Sequence, residues 1–333
     1  MSVSYTAVGW NPAKKAYDVT IALGLLSYLG LFVGAGLLLH PDATIETLLI
    51  RSLATAAFLM LHVILSIGPL CRLRPAFLPL LYNRRHLGVT MFLAALAHAA
   101  FAIVQFHALG NVNPLVSLLT TGAGFQTFGL AALVFFFLMA ATSHDFWLAN
   151  LGPHVWKTLH MGVYAAYALI VLHVALGALH SEAHPALAIA TGVGMVWLLT
   201  LHVAAAHGER AGDRDTGRET SGWIDAGSVD DIPDGGAVVV CAGERIAVFR
   251  YDGKISAVSN VCRHQNGPLG EGRVIDGCIT CPWHGYQYLP GNGRSPAPFT
   301  EKVATFDVRV TGGRVYVNPQ AHEPGTSVEP AHV

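Results

Sequence analysis

The sequence has few charged residues and few cysteines for its length. Lys, Arg, Asp and Glu make up only 12% of its 333 residues, whereas apolar residues make up 53%. A soluble domain carries about 25% charged residues, so much of this chain is expected to meet lipid. A net charge of −1 does not favour binding to nucleic acid. Five cysteines, an odd number, do not form a disulfide framework by themselves and favour metal-binding or buried-thiol roles.

Six apolar stretches occupy the first two-thirds of the chain. Each has close to the ~20 residues that a helix needs to cross the hydrocarbon core of a membrane. Six such runs with short linkers exceed what the core of a large soluble protein would supply. We therefore predict a membrane all-α six-helix bundle, with spans near residues 17–39, 49–70, 86–108, 123–142, 155–179 and 185–206.

Positively charged residues fall mainly on one side of the predicted bundle. With an even number of spans, seven Lys and Arg residues share a face with both termini, and only Arg51 lies on the opposite face. Because cytoplasmic loops carry the excess of Lys and Arg, we predict a multi-pass protein of the cell (inner) membrane. Its N- and C-termini and everything after the sixth helix are predicted to be cytoplasmic. The seven residues are Lys14, Lys15, Arg72, Arg74, Arg84, Arg85 and Lys157.

The composition changes near residue 208. A polar segment that contains charged residues and glycine follows, which is typical of a linker. Short β-type runs punctuated by Gly, Asp and Pro come next and predict a small all-β domain. The last residues are rich in Pro, Glu and His and predict a loose tail. The predicted boundaries are 1–208 for the helical domain, 209–221 for the linker, 222–318 for the β domain and 319–333 for the flexible tail.

Two pairs of Cys and His lie within the predicted β domain. Cys262 and His264 form the first pair, and Cys281 and His284 form the second. Such a set can bind either one zinc ion or one iron–sulfur cluster. Gly and Pro accompany each pair, which indicates two tight turns that face each other at the tip of a β domain. No helix with the histidine spacing of a zinc finger is predicted here, so the pattern favours the cluster.

The segment CRHQNGPLGEGRVIDGCITCPWHGYQY closely resembles Rieske ferredoxins and the Rieske domains of ring-hydroxylating oxygenases. The resemblance implies that Cys262 and Cys281 hold one iron of a [2Fe–2S] cluster as thiolates. It implies that His264 and His284 hold the other iron as imidazoles.

The Rieske proteins of cytochrome bc complexes carry one extra Cys in each turn and join the two by a disulfide. Gly267 and Trp283 stand at those places here, so the chain resembles the lower-potential ferredoxin type. This fits a reducing, cytoplasmic location. The remaining cysteines are interpreted as small buried residues: Cys71, Cys241 and Cys278.

Several histidines lie within the apolar spans, where polar groups are costly and usually functional. Neutral imidazole is a common axial ligand of haem iron, and two helices can hold one haem between histidines at the same depth. At a rise of about 1.5 Å per residue, His98 lies roughly level with His173. We therefore predict that His98 and His173 bind a haem in the half of the membrane away from the β domain.

The segments NRRHLGVTMFLAALAH and WKTLHMGVYAAYALIVLH resemble the ferric reductase-like transmembrane superfamily. They resemble especially the haem-binding membrane subunit of the periplasmic methionine sulfoxide reductase system. The similarity covers roughly residues 45–205 and implies one or two b haems. Ferric reductases and NADPH oxidases place a second His fourteen residues before the one matched by His98, where this sequence has Arg84.

His160 is predicted as a further haem ligand, but Arg84 stands in place of its usual partner. At ~100° per residue, thirteen residues turn His173 about 140° away from His160, so the two serve different neighbours or the helix is distorted. His86 and His202 are the candidate partners of His160, and His62 is a further candidate for a haem contact. Arg84 and Arg85 are candidate partners of the propionates.

These features predict transmembrane electron transfer between a cytoplasmic Rieske cluster and haem b. No nucleotide-binding glycine motif is present, so the expected donor is a separate soluble reductase or ferredoxin. The expected acceptor is a quinone or a redox protein on the far side, and either direction of transfer stays open. Alternatives are a membrane-anchored Rieske ferredoxin that draws electrons from quinol for a soluble oxygenase, and a redox-sensing module. The sequence leaves open whether the chain is an oxidoreductase enzyme or an electron-transfer component.

Overall fold

The chain folds into helices followed by β-sheets. The computed structural model describes residues 12–74, 77, 80, 84–108, 112–121, 124–143, 145–181, 185–214, 219–220, 222–264, 267–282, 285–297 and 299–333. The helices are α1 (Pro12–Leu39), α2 (Ile45–Leu73), α3 (Arg84–His107), α4 (Pro114–Thr121), α5 (Gly124–Ala141), α6 (Asp145–Leu176), α7 (Ala178–Ser181) and α8 (Ala186–Arg214).

The predicted multi-pass architecture is confirmed. Within the described ranges, six helices are long and apolar enough to cross a membrane, and each overlaps one predicted span: α1, α2, α3, α5, α6 and α8. The ends differ, because α6 begins at Asp145 and α8 continues to Arg214, inside the predicted linker. A helix can continue beyond the hydrocarbon core, so the length of an apolar run does not mark its end.

Small residues form the contact between α5 and α6. Ala132 of α5 and Ala166 of α6 are fully buried. A β-carbon at Gly162 of α6 would lie only 3.0 Å from the ring of Phe135, so glycine admits that ring. Large apolar side chains face outward, as Leu31 does with 75% of its surface exposed. This is the usual pattern of membrane helices, in which small residues let backbones approach and large ones face lipid.

The β domain contains twelve strands among the described residues. They are β1 (Glu219–Thr220), β2 (Trp223–Ser228), β3 (Ala237–Ala242), β4 (Glu244–Tyr251), β5 (Lys254–Ser259), β6 (Arg273–Ile275), β7 (Cys278–Thr280), β8 (Gln287–Tyr288), β9 (Thr305–Phe306), β10 (Val308–Thr311), β11 (Arg314–Val317) and β12 (Ala331–His332). They form antiparallel sheets ordered β1-β2-β11-β10, β12-β5-β4-β3 and β6-β7-β8, and β9 also pairs with β5.

Strand β4 contributes to two hydrophobic cores. Ile246 and Val248 point into one core, and Ala247 and Phe249 point into the other. All four are fully buried, because alternate side chains of a strand point to opposite faces and both faces are covered here. The second core includes Cys262 and Cys281, so the predicted cluster ligands lie against a packed interior.

The flexible tail predicted for residues 319–333 is corrected by the structure. The backbone N–H groups of His322 and Val328 donate to the carbonyls of Thr305 and Gly291 at 2.9 and 2.8 Å. Strand β12 then pairs antiparallel with β5. The prediction was wrong because a polar composition describes the side chains, whereas this segment is ordered by its backbone along an open sheet edge.

Candidate functional site

The first cluster loop follows β5 and is closed by backbone hydrogen bonds. The N–H of Cys262 donates to the carbonyl of Gly267 at 2.9 Å, and the N–H of Leu269 donates to the carbonyl of Asn260 at 2.9 Å. The Asn260 side-chain oxygen accepts a further bond from the N–H of Gly270 at 2.6 Å. These bonds place Cys262 and His264 on a tight loop, as the Gly and Pro pattern predicted.

The second cluster loop follows β7. The N–H of Cys281 donates to the carbonyl of Tyr286 at 2.7 Å, and the N–H of Gly285 donates to the carbonyl of Cys281 at 2.9 Å. Gly285 has a φ of 70°, a left-handed conformation that glycine adopts without steric cost. The turn therefore depends on a glycine directly after His284.

Three of the four predicted cluster ligands lie in the described part of the chain and are buried. The exposed fraction is 0% for Cys262, 2% for Cys281 and 6% for His264. His284 lies outside the described residues. Among the described residues, no three His, Cys, Asp or Glu side chains converge on a point that could hold a single metal ion. A [2Fe–2S] cluster of this type divides its ligands between two irons.

Tyr288 connects the two loops through its hydroxyl. The hydroxyl accepts a hydrogen bond from the N–H of Arg263 at 3.0 Å and lies 3.4 Å from Sγ of Cys262. A thiolate carries no proton, so with Cys262 as a thiolate the hydroxyl must be the donor to the sulfur. Burial, and then the nearby Cys262, raise the pKa of Tyr288, which keeps this proton on the hydroxyl. Tyr288 is thus a donor to the predicted thiolate ligand.

Tyr286 covers the predicted ligand His264. The two rings stack with centroids 4.7 Å apart and an angle of 9° between their planes. The Tyr286 hydroxyl donates to the carboxylate of Glu301. Burial, and then this carboxylate, raise the pKa of Tyr286. The ring of His264 is therefore held from one side by a tyrosine that is itself anchored.

Sequence reasoning missed Tyr286, Tyr288 and Glu301. Two tyrosines two residues apart, directly after the second Cys-His pair, were a usable signal, because neighbours at this spacing share a face of an extended strand. The role of Glu301 had no local signal, since its contact with Tyr286 spans fifteen residues.

The five cysteines form no disulfide, and Cys71 and Cys278 are buried as interpreted, whereas Cys241 is half-buried.

In the helical domain, the structure brings His98 of α3 and His173 of α6 together. Their ring centroids are 6.3 Å apart. Both rings line one cavity of about 940 Å³. An iron with two metal–nitrogen bonds of about 2 Å each fits this spacing, because each nitrogen lies a further ~1 Å from its ring centre. The two histidines that line this cavity would therefore be spaced to hold one iron-containing cofactor between them.

Each of these two histidines is oriented by the backbone of another helix. Nδ1 of His98 lies 3.0 Å from the carbonyl of Ile50 in α2, and Nδ1 of His173 lies 2.8 Å from the carbonyl of Phe125 in α5. A carbonyl only accepts hydrogen bonds, so both Nδ1 atoms must carry the proton. Each Nε2 then keeps its lone pair for a ligand.

The cavity is mostly apolar and has a few polar groups. Arg51, Gln126 and His180 are among its lining residues. His107 also lines it and is buried, with Nδ1 3.1 Å from the Ser117 hydroxyl and Nε2 3.3 Å from Oε1 of Gln126. These side chains could meet the polar end of a largely apolar ligand.

His160 lies apart from the pair of histidines. Its Nδ1 is 3.0 Å from the carbonyl of Trp156, and its ring stacks on the Trp156 indole with centroids 3.6 Å apart. Its Nε2 is buried and has no hydrogen-bond partner in the described part of the chain. Its predicted alternative partner His86 is instead 2.7 Å from the Asp18 carboxylate, and His202 is half-buried on α8.

His62 is engaged on both ring nitrogens. Nδ1 faces the carbonyl of Phe58 at 2.9 Å, and Nε2 is 3.1 Å from the hydroxyl of Tyr167. Neither nitrogen is left for iron in this arrangement. The predicted propionate partners do not face the cavity either: Arg84 and Arg85 are not among its described lining residues, and Arg85 donates to the carbonyl of Ser143 at 3.2 Å.

Comparisons with known proteins match both halves of the chain. Residues 51–171 match the family model "Ferric reductase like transmembrane component", and residues 222–307 match "Rieske [2Fe-2S] domain". The anthranilate 1,2-dioxygenase ferredoxin subunit of Burkholderia cepacia is 35% identical over 98 residues, which is 29% of this chain and 91% of that protein.

Two further proteins are similar to part of this chain. The ferredoxin component of the naphthalene 1,2-dioxygenase/salicylate 5-hydroxylase systems of a Ralstonia species is 34% identical over 98 residues, which covers 29% of this chain and 94% of that protein. The solved ferredoxin of carbazole 1,9a-dioxygenase from Nocardioides aromaticivorans is 25% identical, with a TM-score of 0.29, and covers 30% of this chain and 100% of its own.

Proposed function

We propose that this protein transfers electrons between a [2Fe–2S] cluster and haem b. The chain belongs to the Rieske [2Fe–2S] proteins and joins a Rieske domain to a ferric reductase like transmembrane component. The main observation that supports haem binding is that His98 and His173 lie close together and line one cavity. When bound, the two cofactors supply one-electron chemistry, and the protein supplies position and potential.

For the cluster, we assign Cys262 and Cys281 to one iron and His264 and His284 to the other. The burial of the first three supports this assignment, because a dry site strengthens the electrostatic interactions of thiolate ligands. Tyr288 donates a hydrogen bond toward Cys262 and withdraws electron density from its sulfur. Residues of this chain thus position the cluster ligands, and Tyr288 adjusts the reduction potential of the cluster.

For the haem, we assign His98 and His173 as the residues that would hold its iron. Their Nδ1–H groups are bonded to backbone carbonyls, an arrangement that fixes the tautomer and ring orientation of a metal-binding histidine. Arg51 lines the same cavity and is the candidate partner of a propionate in place of Arg84 and Arg85. We therefore regard Arg84 and Arg85 as orientation anchors on the cytoplasmic side.

We propose one haem rather than two. The unpartnered Nε2 of His160 favours a ligand role, but its ring is stacked against Trp156, and the candidate partner His86 is bonded to Asp18. His98 and His173 would already supply two imidazoles to one haem iron. His160 remains the candidate for any second one.

The charge distribution supports cytoplasmic termini and a cytoplasmic Rieske domain. We propose that a separate soluble reductase or ferredoxin delivers electrons to the cluster, and that a quinone or a redox protein on the far side receives them. The relatives favour one alternative. They are ferredoxin components of dioxygenase systems, so this domain could instead pass electrons drawn from quinol to a soluble oxygenase.

Purified protein in detergent tests the cofactor assignment. We expect the wild type to show a Rieske EPR signal after reduction and one b-type haem per cluster. His98→Ala and His173→Ala should each lose at least nine-tenths of the haem and retain the cluster signal. His62→Ala is the matched control in the same bundle and should keep its haem, because both nitrogens of His62 are already bonded. Normal haem content in the first two variants would refute the assignment.

Electron transfer itself is tested by rapid mixing without oxygen. Reductant added to the wild type should reduce the cluster and haem in succession, and quinone analogues should reoxidise the haem if a quinone is the acceptor. A cluster that is reduced while haem stays oxidised would favour the soluble-oxygenase alternative.

A further inference from the structure

Helix α5 has no side chain at the position that faces the ring of His173. A β-carbon at Gly129 would lie 2.7 Å from Nδ1 of His173 and 2.9 Å from its Cε1. Real β-carbons essentially never come this close to another heavy atom, so any other residue at this position would displace the ring. The ring cannot simply move away, because its Nδ1–H is bonded to the carbonyl of Phe125 at 2.8 Å.

The gap follows from helix geometry. Phe125 and Gly129 are four residues apart on α5, so the backbone carbonyl of Phe125 points along the helix toward the N–H of Gly129. In a helix, the Cα–Cβ bond tilts back toward the N-terminus, so a side chain at position 129 would cover this carbonyl. Glycine at position 129 therefore leaves the Phe125 carbonyl open to an imidazole from another helix.

A second glycine leaves room for the ring of Phe125. A β-carbon at Gly177, directly after α6, would lie 2.8 Å from the Phe125 ring and 2.8 Å from the carbonyl of His173. The Phe125 ring packs against the ring of His173 with centroids 5.4 Å apart. Phe125, Gly129 and Gly177 all line the cavity.

We propose that Gly129, Phe125 and Gly177 form a cradle that orients His173, and that Gly129 is a positioning residue for the haem. This inference rests on the proposed function, because it assigns a role toward the same haem. The cradle holds Nδ1 as the donor, so the lone pair is on Nε2 of a ring that lines the cavity. The orientation and basicity of this ligand then depend on a residue that touches neither iron nor electron donor.

The direction in which a Gly→Ala substitution changes stability distinguishes a positioning role of Gly129 from ordinary helix packing. Alanine has a higher helix propensity than glycine, so Gly→Ala at an open helix position is neutral or stabilising. Gly124 begins the same helix, and a β-carbon there would meet nothing within 4 Å. Gly124→Ala is therefore the matched control for Gly129→Ala.

The experiment compares wild type, Gly129→Ala and Gly124→Ala purified in the same detergent, with the Rieske EPR signal as the measure of correct folding. We expect Gly129→Ala to lose at least half of its haem, or to keep it with altered low-spin EPR g-values and a shifted haem potential. Gly124→Ala should match the wild type in all three measurements. Unchanged haem content, g-values and potential in Gly129→Ala would overturn the cradle and leave the proposed function intact. A wild type without haem would overturn both.

A double variant covers the case in which Gly129→Ala does not accumulate. In the His173→Ala background, the new methyl group meets no imidazole, so Gly129→Ala should yield as much folded protein as His173→Ala alone. This would show that the defect comes from the contact between residues 129 and 173. Equal loss of folded protein in both backgrounds would overturn the cradle.

Discussion

At the scale of single residues, the hydroxyl of Tyr288 contacts a proposed cluster ligand directly. It lies 3.4 Å from Sγ of Cys262 and also accepts the N–H of Arg263. Hydrogen bonds to cluster sulfurs raise the reduction potential, because they stabilise the more negative reduced state.

Tyr288→Phe should lower the midpoint potential of the cluster. A hydrogen bond worth about 1 kcal/mol in favour of the reduced state corresponds to about 40 mV for a one-electron couple. A redox titration followed by EPR measures the shift. Tyr251→Phe is the control, because its hydroxyl bonds to Ser256, 2.9 Å away, and its loss should leave the potential unchanged. Equal potentials in wild type and Tyr288→Phe would show that the hydroxyl does not bond to the sulfur.

At the scale of elements, polar side chains join helices inside the apolar bundle. The hydroxyl of Tyr167 in α6 donates to His62 in α2 at 3.1 Å, and the indole N–H of Trp197 in α8 donates to the hydroxyl of Ser66 in α2 at 3.0 Å. Such bonds between membrane helices contribute about 0.6 kcal/mol on average. They account for His62 as a structural residue.

Tyr167→Phe should therefore destabilise the bundle by about 0.6 kcal/mol, since His62 loses its donor. Unfolding of the detergent-solubilised protein by denaturant, followed by the haem absorbance, measures this change. Haem content before unfolding should equal that of the wild type. A large loss of haem would instead place His62 and Tyr167 in the cofactor site.

The C-terminal strand is a second element with a measurable role. Ala331 and His332 pair with β5, and the N–H of Val333 donates to the carbonyl of Gly253 at 3.0 Å. Deleting residues 331–333 should destabilise the Rieske domain by about 2 kcal/mol, because two or three backbone hydrogen bonds of about 1 kcal/mol each are lost. The denaturant midpoint of the cluster's visible absorbance measures this, and an unchanged midpoint would mean that β12 adds nothing to stability.

The elements differ in how far their sequence predicts them. The six spans follow from hydropathy, because the length of an apolar run is matched to the thickness of a membrane. The pairing of His98 with His173 follows from counting residues, because helices that run in the same direction keep a constant rise. The packing of residues 319–333 does not follow, since it depends on backbone partners in separate segments, which are Thr305, Gly291 and strand β5. The partners of His86 and His62, which are Asp18 and Tyr167, depend likewise on how separate helices rotate toward each other.

At the scale of the whole molecule, the positive-inside rule predicts that both termini are cytoplasmic. A fluorescent protein fused after Val333 should fluoresce in the native membrane, and an alkaline phosphatase fused there should be inactive. The same pair of reporters inserted after Pro41, between α1 and α2, should give the opposite result. Active phosphatase at the C-terminus would place the Rieske domain outside the cytoplasm and reverse the proposed polarity of donor and acceptor.

The backbone bonds of the two histidines proposed to bind haem also bear on how the protein is made. Each imidazole reaches from its own helix to the carbonyl of another: His98 of α3 to Ile50 of α2, and His173 of α6 to Phe125 of α5. With the proposed ligands, the site would require four helices, and the last of these ligands belongs to the fifth membrane span. During synthesis, haem would then be held only after α6 has entered the membrane and packed against α5. We therefore expect cofactor insertion to be a late step in biogenesis, and nascent chains that end before residue 173 to carry no haem.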